Sequence, residues 1–212
     1  MYLDHYIGMM APDRVGTEQL ELSWNVAPTD PVYAMINHDG EKVLGSFKWG
    51  LVPHWAKDRR SIQINARSET AFEKPTFRDS FKSKRCLIPA DGFYEWRRDG
   101  DSKQAYYITN VSPMVFAGLW SSWKDPQTDS WLNTCTILTT DAASQIAGVH
   151  HRMPVLLPQR LWEDWIDPEE QEVANLRGVL EEVADSGYSI TEVSSLVNSV
   201  RNNGPELVSP QR

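Results

Sequence analysis

The segment Arg85–Thr109, RCLIPADGFYEWRRDGDSKQAYYIT, decides the fold. Arg85–Pro89 has the pattern of a short apolar strand, and Gly92–Arg97 and Gln104–Thr109 have the pattern of two further strands. Between the last two stands Asp99-Gly100-Asp101, and Asp-Gly is a favoured hairpin turn. Strands joined by a hairpin pair antiparallel, so this segment predicts an antiparallel sheet.

Two further hairpins are predicted on either side of this segment. They consist of 32–36 and 42–49 around His38-Asp39-Gly40, and of Met114–Trp120 and Trp131–Thr139 across Asp125–Ser130. In each of them, turn-forming residues separate two runs rich in apolar and β-branched side chains. Since most predicted strands have a sequence neighbour to pair with, we expect a largely antiparallel sheet.

Helices are predicted at both ends of the chain. Residues 2–10 have apolar side chains at helical spacing, without an N-cap residue before them. Pro158–Ile166 and Pro168–Asp185 are amphipathic, and Gly187 follows as a stop signal. We find no repeat and no long linker. The prediction is one α+β domain over residues 1–212, with flanking and C-terminal helices.

The composition is that of a soluble globular protein, with 41% hydrophobic and 24% charged residues. No apolar run approaches the roughly 18 residues that a membrane span needs, and no signal peptide precedes the first helix. The two cysteines, Cys86 and Cys135, lie among apolar neighbours in predicted strands, so we expect inert core thiols and no disulfide framework. We expect a cytoplasmic protein.

The charge distribution is uneven along the chain. The net charge is −8, yet the segment from Lys42 to Lys103 holds 14 Lys/Arg and 8 Asp/Glu. Such a basic segment in an acidic chain is expected of a local phosphate-binding face, although folding could scatter these charges. The nine tryptophans suit either a packed core or stacking against bases.

Seven short motifs stand in a fixed order from residue 24 almost to the end. They are Trp24–Pro28 (WNVAP), Trp49–Pro53 (WGLVP), Ile64–Thr70 (INARSET), Pro89–Trp96 (PADGFYEW), Val149–Pro154 (VHHRMP), Ser194–Asn198 (SSLVN) and Gly204–Leu207 (GPEL). In this order they resemble the SRAP family, the SOS-response-associated peptidase domain. The resemblance implies the SRAP fold and a DNA-damage function, the sensing of abasic sites in single-stranded DNA.

The resemblance also implies a chemistry. In the family a cysteine follows the initiator methionine, and removal of that methionine by self-processing leaves a free α-amine beside the thiol. The amine condenses with the aldehyde of an abasic site, and the thiol closes a thiazolidine that links protein to DNA. An α-amine with a pKa near 8 and a nucleophilic thiolate suit this reaction. The resemblance therefore implies, for the family, an autopeptidase with hydrolase- and lyase-like chemistry.

The resemblance places the site residue by residue. Asn65, Glu95 and His150 fall on catalytic positions: Asn65 would hold the opened sugar or the N-terminal backbone, Glu95 would act as acid and base, and His150 would shuttle protons. The predicted DNA-binding residues are Asn25, which would orient the pocket, Trp49, and the phosphate-gripping Arg67 and Arg152. Without the motifs, Glu95 could face solvent, Asn65 could cap a turn and Trp49 could belong to the core.

The first residues depart from the family pattern. Position 2 is Tyr2, the usual Cys-Gly-Arg opening is absent, and the stretch before Trp24 is short. We expect an incomplete first helix and a missing nucleophile-bearing N-terminus. Three explanations stay open: a start codon assigned to an internal methionine, a chain cut at that point, or a natural relic that only binds DNA. As numbered, Met1 offers an α-amine without a neighbouring thiol.

Three functions compete. The first is abasic-site sensing in single-stranded DNA, with covalent capture in a full-length form. Whether this chain is itself an enzyme stays open. The second is a non-covalent single-strand binder with a dead site. The third, a metal-dependent hydrolase on His150, His151 and Glu95, is disfavoured because adjacent residues of an extended segment face opposite ways. We expect no metal, no cofactor, a monomer, and association with the nucleoid when bound to DNA.

Overall fold

The protein is built on two β-sheets, with helices packed outside the larger one. The computed structural model describes residues 2–60, 62–100, 102–183 and 185–211. The strands are β1 (Arg14–Val15), β2 (Pro31–His38), β3 (Glu41–Trp49), β4 (Asn65–Arg67), β5 (Arg85–Ala90), β6 (Phe93–Asp99), β7 (Ser102–Asn110), β8 (Met114–Lys124), β9 (Trp131–Asp141), β10 (Arg152–Pro154) and β11 (Tyr188–Val193). The helices are α1 (Leu3–Met10), α2 (Arg78–Ser83), α3 (Trp162–Ile166) and α4 (Val173–Glu181).

The larger sheet closes on itself. Its strands follow the order β1-β3-β2-β5-β8-β9-β10, and β3 also pairs with β9. That pairing is parallel and joins Lys48 to Thr134 and Trp49 to Cys135. The ring β3-β2-β5-β8-β9 therefore has no free edge along this stretch, as in a small barrel.

The two faces of the ring have different partners. The outer face carries large side chains, among them Met35, Leu87 and Leu119, which form one core with residues of all four helices. The inner face carries a second cluster, in which small side chains such as Ala34, Cys86 and Cys135 pack among larger ones such as Phe47 and Phe116. Both faces are buried, so these strands are apolar on both sides.

The smaller sheet has the order β11-β7-β6 and packs against the inner cluster of the ring. Phe93 of β6 makes an edge-to-face contact with Phe116 of β8, with ring centroids 6.0 Å apart. The other face of this sheet is covered by Val197 and Leu207 of the C-terminal segment. Side chains alternate along β6, so Glu95 shares the face of Phe93 and is turned toward the ring.

The predicted α+β class with largely antiparallel sheets is confirmed. All three predicted hairpins form, as β2–β3, β6–β7 and β8–β9. Helix α1 also forms, and its first backbone N–H is satisfied from a distance, by the Gln19 side chain at 2.8 Å. Asp101 of the predicted β6–β7 turn and the Met1 amine lie outside the described residues.

The prediction of one helix over Pro168–Asp185 is wrong at both ends. Helix α4 begins only at Val173 and ends at Glu181, and the predicted span also contains Ala184, which lies outside the described residues. Carbonyl groups before α4 bind Arg85 instead of helical N–H groups: Trp165 O accepts from Nε at 2.6 Å and Glu170 O from Nη2 at 2.9 Å. Burial lowers the Arg85 pKa to about 10, and these carbonyls compensate the buried guanidinium.

The narrow interior of the ring predicts a stability effect at Gly118. A Cβ atom there would lie 2.7 Å from Ile88 Cδ1, 2.8 Å from Cys86 Sγ and 3.0 Å from the Thr136 carbonyl oxygen. We expect Gly118→Ala to lower the free energy of unfolding by about 1–3 kcal/mol, the usual cost of overpacking. Urea unfolding followed by circular dichroism measures this as a lower midpoint at an unchanged slope.

The matched control is Gly178→Ala in α4, where an added Cβ meets nothing within 4 Å. That change should stabilise by roughly 0.5–1 kcal/mol, because alanine is the better helix former. Equal effects of the two substitutions would mean that the ring can widen, contrary to the packing described above.

Candidate functional site

Glu95 and His150, which are 55 positions apart in sequence, meet at one end of the ring. His150 Nδ1 lies 3.6 Å from Glu95 Oε1, and the two side chains are 34% and 22% exposed. Strand β6 carries Glu95, and the loop between β9 and β10 carries His150. Buried Ile146 anchors that loop, and its carbonyl oxygen accepts from the backbone N–H of His150 at 3.2 Å.

Burial raises the pKa of Glu95 above its usual value. His150 and Lys103, together with the backbone N–H of Trp96, counteract part of this shift because they favour the charged carboxylate. The result is a carboxyl group that ionises less readily than an exposed glutamate. A carboxyl group with a raised pKa is a candidate for both releasing and accepting a proton in a reaction.

The contacts of His150 decide its tautomer. Nδ1 lies 2.9 Å from the carbonyl oxygen of Arg152 and also faces the Glu95 carboxyl, and both of these are acceptors. The Arg152 N–H, at 3.2 Å, is the competing donor. Two acceptors against one donor favour a proton on Nδ1. In the neutral ring this leaves the lone pair on Nε2, which is the nitrogen available to a ligand.

Arg152 is held by an ionic clamp. Its Nη1 and Nη2 atoms donate to the two carboxylate oxygens of Glu69 at 2.7 and 2.8 Å, Nη1 also reaches Asp141 at 2.7 Å, and Nη2 reaches the carbonyl oxygen of Thr139 at 2.6 Å. The side chain is only 14% exposed. The Arg152 guanidinium holds the pKa of Glu69 below its usual range. The clamp fixes the backbone that positions His150; the phosphate contact predicted for Arg152 stays a prediction, and a phosphate would compete with these carboxylates.

Asn65 and Arg67 lie on β4, beside the end of β9. Asn65 pairs with Ile137 and Arg67 with Thr139, and across β9 Arg152 pairs with Asp141. Residues paired across neighbouring strands point to the same face, so both exposed side chains emerge on the face of the clamp. The structure thus places Asn65 and Arg67 on the same face as Arg152. Strand β9 lies between β4, which carries Asn65 and Arg67, and β10, which carries Arg152.

Asn25 and Trp49 hold the backbone around the site and do not touch the Glu95–His150 pair. The Asn25 amide donates to the carbonyl oxygens of Val197, Ser199 and Asn202 at 3.1–3.2 Å, which ties the C-terminal loop down behind β6. The Trp49 indole N–H donates to Ile64 O at 2.8 Å and so fixes the start of β4. Their predicted contacts with DNA stay predictions.

Both cysteines are buried inside the ring, as expected for core thiols. Cys86 and Cys135 have no exposed surface. Burial raises the pKa of Cys86 well above its usual value and that of Cys135 to about 12. Neither thiol is therefore a nucleophile near neutral pH.

His150 and His151 do not face opposite ways, contrary to the expectation for an extended segment. Their rings lie side by side, with centroids 4.5 Å apart, and both residues lie in the loop before β10, outside any strand. Within the described ranges, no group of three or more His, Cys, Asp or Glu side chains is placed to hold a metal ion.

The basic segment from Lys42 to Lys103 is divided by folding. Arg85 is buried, Lys42 pairs with Glu163 at 3.0 Å, and Arg60 pairs with Asp58 at 2.6 Å. Arg67 is exposed beside the site, and Lys103 lies over the Trp96 ring. Only part of the predicted basic face is therefore available to a polyanion.

Sequence reasoning missed Glu69 and Asp141, the carboxylates of the clamp. Glu69 stands inside the motif that contains Asn65, and an acidic residue in a motif expected to contact phosphate was a usable signal. Asp141 carried none, because its role depends on the pairing of β9 with β10.

Fold and site together define a class of protein: an α+β domain that brings a glutamate and a histidine together and carries an exposed amide and an exposed guanidinium on the nearby strand β4. A glutamate–histidine pair can transfer a proton to or from a ligand, and a guanidinium can bind a negatively charged group. Comparison with known sequences gives the family. The sequence model of the SOS response associated peptidase (SRAP) family matches residues 4–200, and the chain belongs to that family.

Named relatives agree with this assignment. The chain is 42% identical over 191 residues to the abasic site processing protein YoqW of Bacillus subtilis strain 168, covering 88% of this chain and 85% of the relative. It is 31% identical over 244 residues to the abasic site processing protein HMCES of Gallus gallus, covering 99% of this chain and 72% of that protein.

Solved structures share the fold. A protein from Bacteroides thetaiotaomicron superposes with a TM-score of 0.78 at 29% identity, covering 87% of this chain and 82% of that one. A phage-related protein from Bordetella bronchiseptica gives a TM-score of 0.69 at 30% identity, covering 89% and 88%. None of the described helices is long and apolar enough to cross a membrane.

The environment of Glu95 predicts a stability change with a defined pH dependence. A raised carboxyl pKa means that the folded state binds more protons than the unfolded state between the two pKa values, so this residue lowers stability as the pH rises through that window. Glu95→Gln should therefore raise the melting temperature at pH 7, and the difference should narrow toward pH 4. Thermal unfolding at a series of pH values measures it.

Glu69→Gln is the matched control and should act with the opposite sign. The pKa of Glu69 is lowered, so its contribution to stability is present above the unfolded-state pKa and is lost as the pH falls through the folded-state pKa. The variant should be less stable than the parent at pH 7 and equal to it at low pH. If both variants moved the same way across this range, the two environments would not differ as described.

Proposed function

We propose that this protein senses abasic sites in single-stranded DNA and that the pocket around Glu95 and His150 receives the opened sugar. The observation that carries the proposal is the 3.6 Å approach of His150 Nδ1 to a carboxyl group whose pKa is raised by burial. Membership of the SRAP family and the names of the relatives, which are abasic site processing proteins, support it.

An opened abasic sugar presents an aldehyde carbon, and its ring-closed form presents a hydroxyl on the same carbon. Opening the ring requires a proton on the ring oxygen and removal of one from that hydroxyl. His150 Nε2 accepts the proton of that hydroxyl and returns it to the ring oxygen, and the Glu95 carboxyl, which faces Nδ1, stabilises the imidazolium that forms between the two transfers. The Asn65 amide holds the sugar hydroxyl groups, and the Arg67 guanidinium holds the adjoining phosphate.

Covalent capture requires an amine and a thiol on one residue. The amine adds to the aldehyde carbon and water leaves, which gives an imine; the thiol then adds across the C=N bond and closes a thiazolidine. Glu95 supplies the proton that the departing hydroxyl needs. Buried Cys86 and Cys135 are not suited to this role, and the resemblance to the SRAP family implies an N-terminal cysteine as the nucleophile of the full-length form.

The position of α1 supports this route. Tyr6, in the middle of α1, donates to Asp91 Oδ1 at 3.3 Å, and Asp91 stands in the turn that leads into β6 and Glu95. Desolvation raises the Tyr6 pKa, which keeps the phenol protonated as a donor. Residues that precede α1 therefore start from a helix anchored close to the pocket.

Binding to single-stranded DNA should be salt-dependent and should prefer an abasic strand. Phosphate contacts release counterions, so the logarithm of the affinity should fall linearly with the logarithm of the salt concentration. Arg67→Ala should weaken binding to intact and abasic strands alike and reduce the salt slope by about 1, whereas Asn65→Ala should reduce the preference for the abasic strand. Fluorescence anisotropy with labelled oligonucleotides measures both.

Arg177→Ala on α4 is the control for charge, since Arg177 packs over the Phe72 ring on the helical side of the protein. It should leave the slope unchanged. Affinity that does not respond to salt, or no preference for abasic over intact strands, would contradict the proposal.

Covalent trapping should separate the sensor from a non-covalent binder. The chain printed here should give no denaturation-resistant adduct with abasic single-stranded DNA, because its thiols are buried. A chain extended upstream with Met-Cys-Gly-Arg should give one after removal of the methionine, and Glu95→Gln in the extended chain should slow its formation. Denaturing gel electrophoresis after timed incubation measures the adduct.

Each alternative has its own outcome. An adduct with the printed chain would identify another nucleophile. No adduct with the extended chain, despite removal of its methionine, would mean that the protein binds DNA without reacting.

A further inference from the structure

An exposed tryptophan lies between two clefts at the end of the ring where β9 begins. Trp131, the first residue of β9, is 67% exposed. On one side a cleft of about 470 Å³ is lined by His54, Lys84, Ser122, Lys124 and Trp131. On the other side a cleft of about 440 Å³ is lined by Thr29, Pro31, Ser46, Lys48, Leu132, Asn133 and Trp131.

Packing does not account for this indole. Trp123 and Trp165 show how the fold uses tryptophan in its core: both are fully buried, and their indole N–H groups donate to the carbonyl oxygens of Ala56 at 2.7 Å and Cys86 at 3.1 Å. Trp131 instead leaves most of its ring open to a ligand. An exposed aromatic ring among basic side chains is the usual stacking surface for the bases of a single strand.

The surrounding charges are mainly positive. The Lys124 ammonium lies 6.0 Å from the centre of the Trp131 ring. Lys84 lines the first cleft together with Trp131, and its ammonium lies 5.3 Å from the centre of the Trp120 ring. Exposed Asp129 opposes them, since its carboxylate pairs with Lys124 at 2.6 Å. Lys48 adds a further cation to the second cleft. This combination suits phosphate groups on either side of a stacked base.

The loop between β3 and β4 connects this surface to the candidate site. The loop begins at Gly50, whose N–H donates to the Cys135 carbonyl oxygen at 2.8 Å. It contributes His54 to the first cleft and leads into Asn65, the first residue of β4. Along β9, Trp131 and Thr139 are eight residues apart, about 27 Å at 3.4 Å per residue. That distance equals roughly eight nucleotides at duplex spacing and fewer in an extended strand.

We propose that Trp131, Lys84 and Lys124 form a second contact for single-stranded DNA, in which the indole stacks on a base and the two lysines bind the flanking phosphates. The inference rests on the proposed function, because the strand that it binds is the one whose abasic site occupies the Glu95–His150 pocket. It assigns the protein a footprint that extends beyond the pocket to one side of the lesion.

The length of the bound strand tests this footprint. The ligands are labelled oligonucleotides that carry an abasic analogue: a 6-mer, and 16-mers with the analogue near the 5′ end or near the 3′ end. Trp131→Ala should weaken binding of one of the two 16-mers by about 5- to 100-fold, the usual effect of removing a stacked aromatic. It should leave the 6-mer unchanged. Trp131→Phe, which keeps a stacking ring, should remain close to the parent.

The charged residues give a second readout. Lys84→Ala and Lys124→Ala should each reduce the salt slope of the affected 16-mer by about 1. Asp129→Asn should tighten its binding, and asparagine tolerates the φ of +59° at that position. Val111→Ala, at a residue that is 87% exposed in the β7–β8 turn, is the control for loss of an exposed apolar side chain.

The outcomes separate this inference from the proposed function. A parent protein that binds neither the 6-mer nor the 16-mers would overturn both. A parent that prefers the abasic 6-mer, with Trp131→Ala equal to it on every 16-mer, would overturn the second contact and leave the proposed function standing. A uniform loss on all ligands would also contradict the inference, because it would reflect general damage to the fold.

Discussion

The pairing of β9 on both of its edges is the constraint on which the rest of the structure depends. One edge of β9 pairs first with β8 and then with β10. At the change between these two partners, the Leu138 carbonyl oxygen accepts from the Val155 N–H at 2.9 Å. The other edge pairs with β3, which closes the ring, and then with β4. The same strand thus closes the core and sets Asn65 and Arg67 on one side and the His150–Arg152 segment on the other. A shift of one residue in its register would turn the side chains of β9 to the opposite face and change which residues β4 and β10 pair with.

The sequence predicted what depends on neighbours and missed what depends on distant contacts. The hairpins formed as expected, because turn residues and alternation act within about 20 residues. The helix expected from Pro168 failed because the carbonyl groups before α4 bind Arg85, about 80 positions away. Strand β4 has only three residues and pairs in parallel with a strand some 70 positions further on. Strand β11, YSITEV, alternates as a strand should, but it comes after a helix and lay outside every predicted hairpin.

The site shows the same division. The motifs indicated Glu95 and His150, and the structure brings these two together. The motifs could not indicate that the pKa values of Glu69 and Glu95 are shifted in opposite directions. Glu69 holds its charge more readily because it shares two charge-assisted hydrogen bonds with Arg152, whereas burial makes Glu95 hold its proton more tightly. Two carboxyl groups with opposite pKa shifts can serve different purposes, one as a fixed anchor and the other as a proton donor and acceptor.

The overall charge of −8 bears on how such a site would find its target. A uniformly basic protein binds any nucleic acid through its phosphates, with little discrimination. Here folding removes several cations from the surface by burial or ion pairing, whereas Arg67 stays exposed near the site and Lys84 and Lys124 lie around Trp131. Acidic residues elsewhere repel DNA that approaches other faces. With few phosphate contacts the affinity for intact strands stays weak, so a large share of the binding free energy has to come from the pocket. A sensor of a rare lesion needs that balance, since intact DNA is always in large excess.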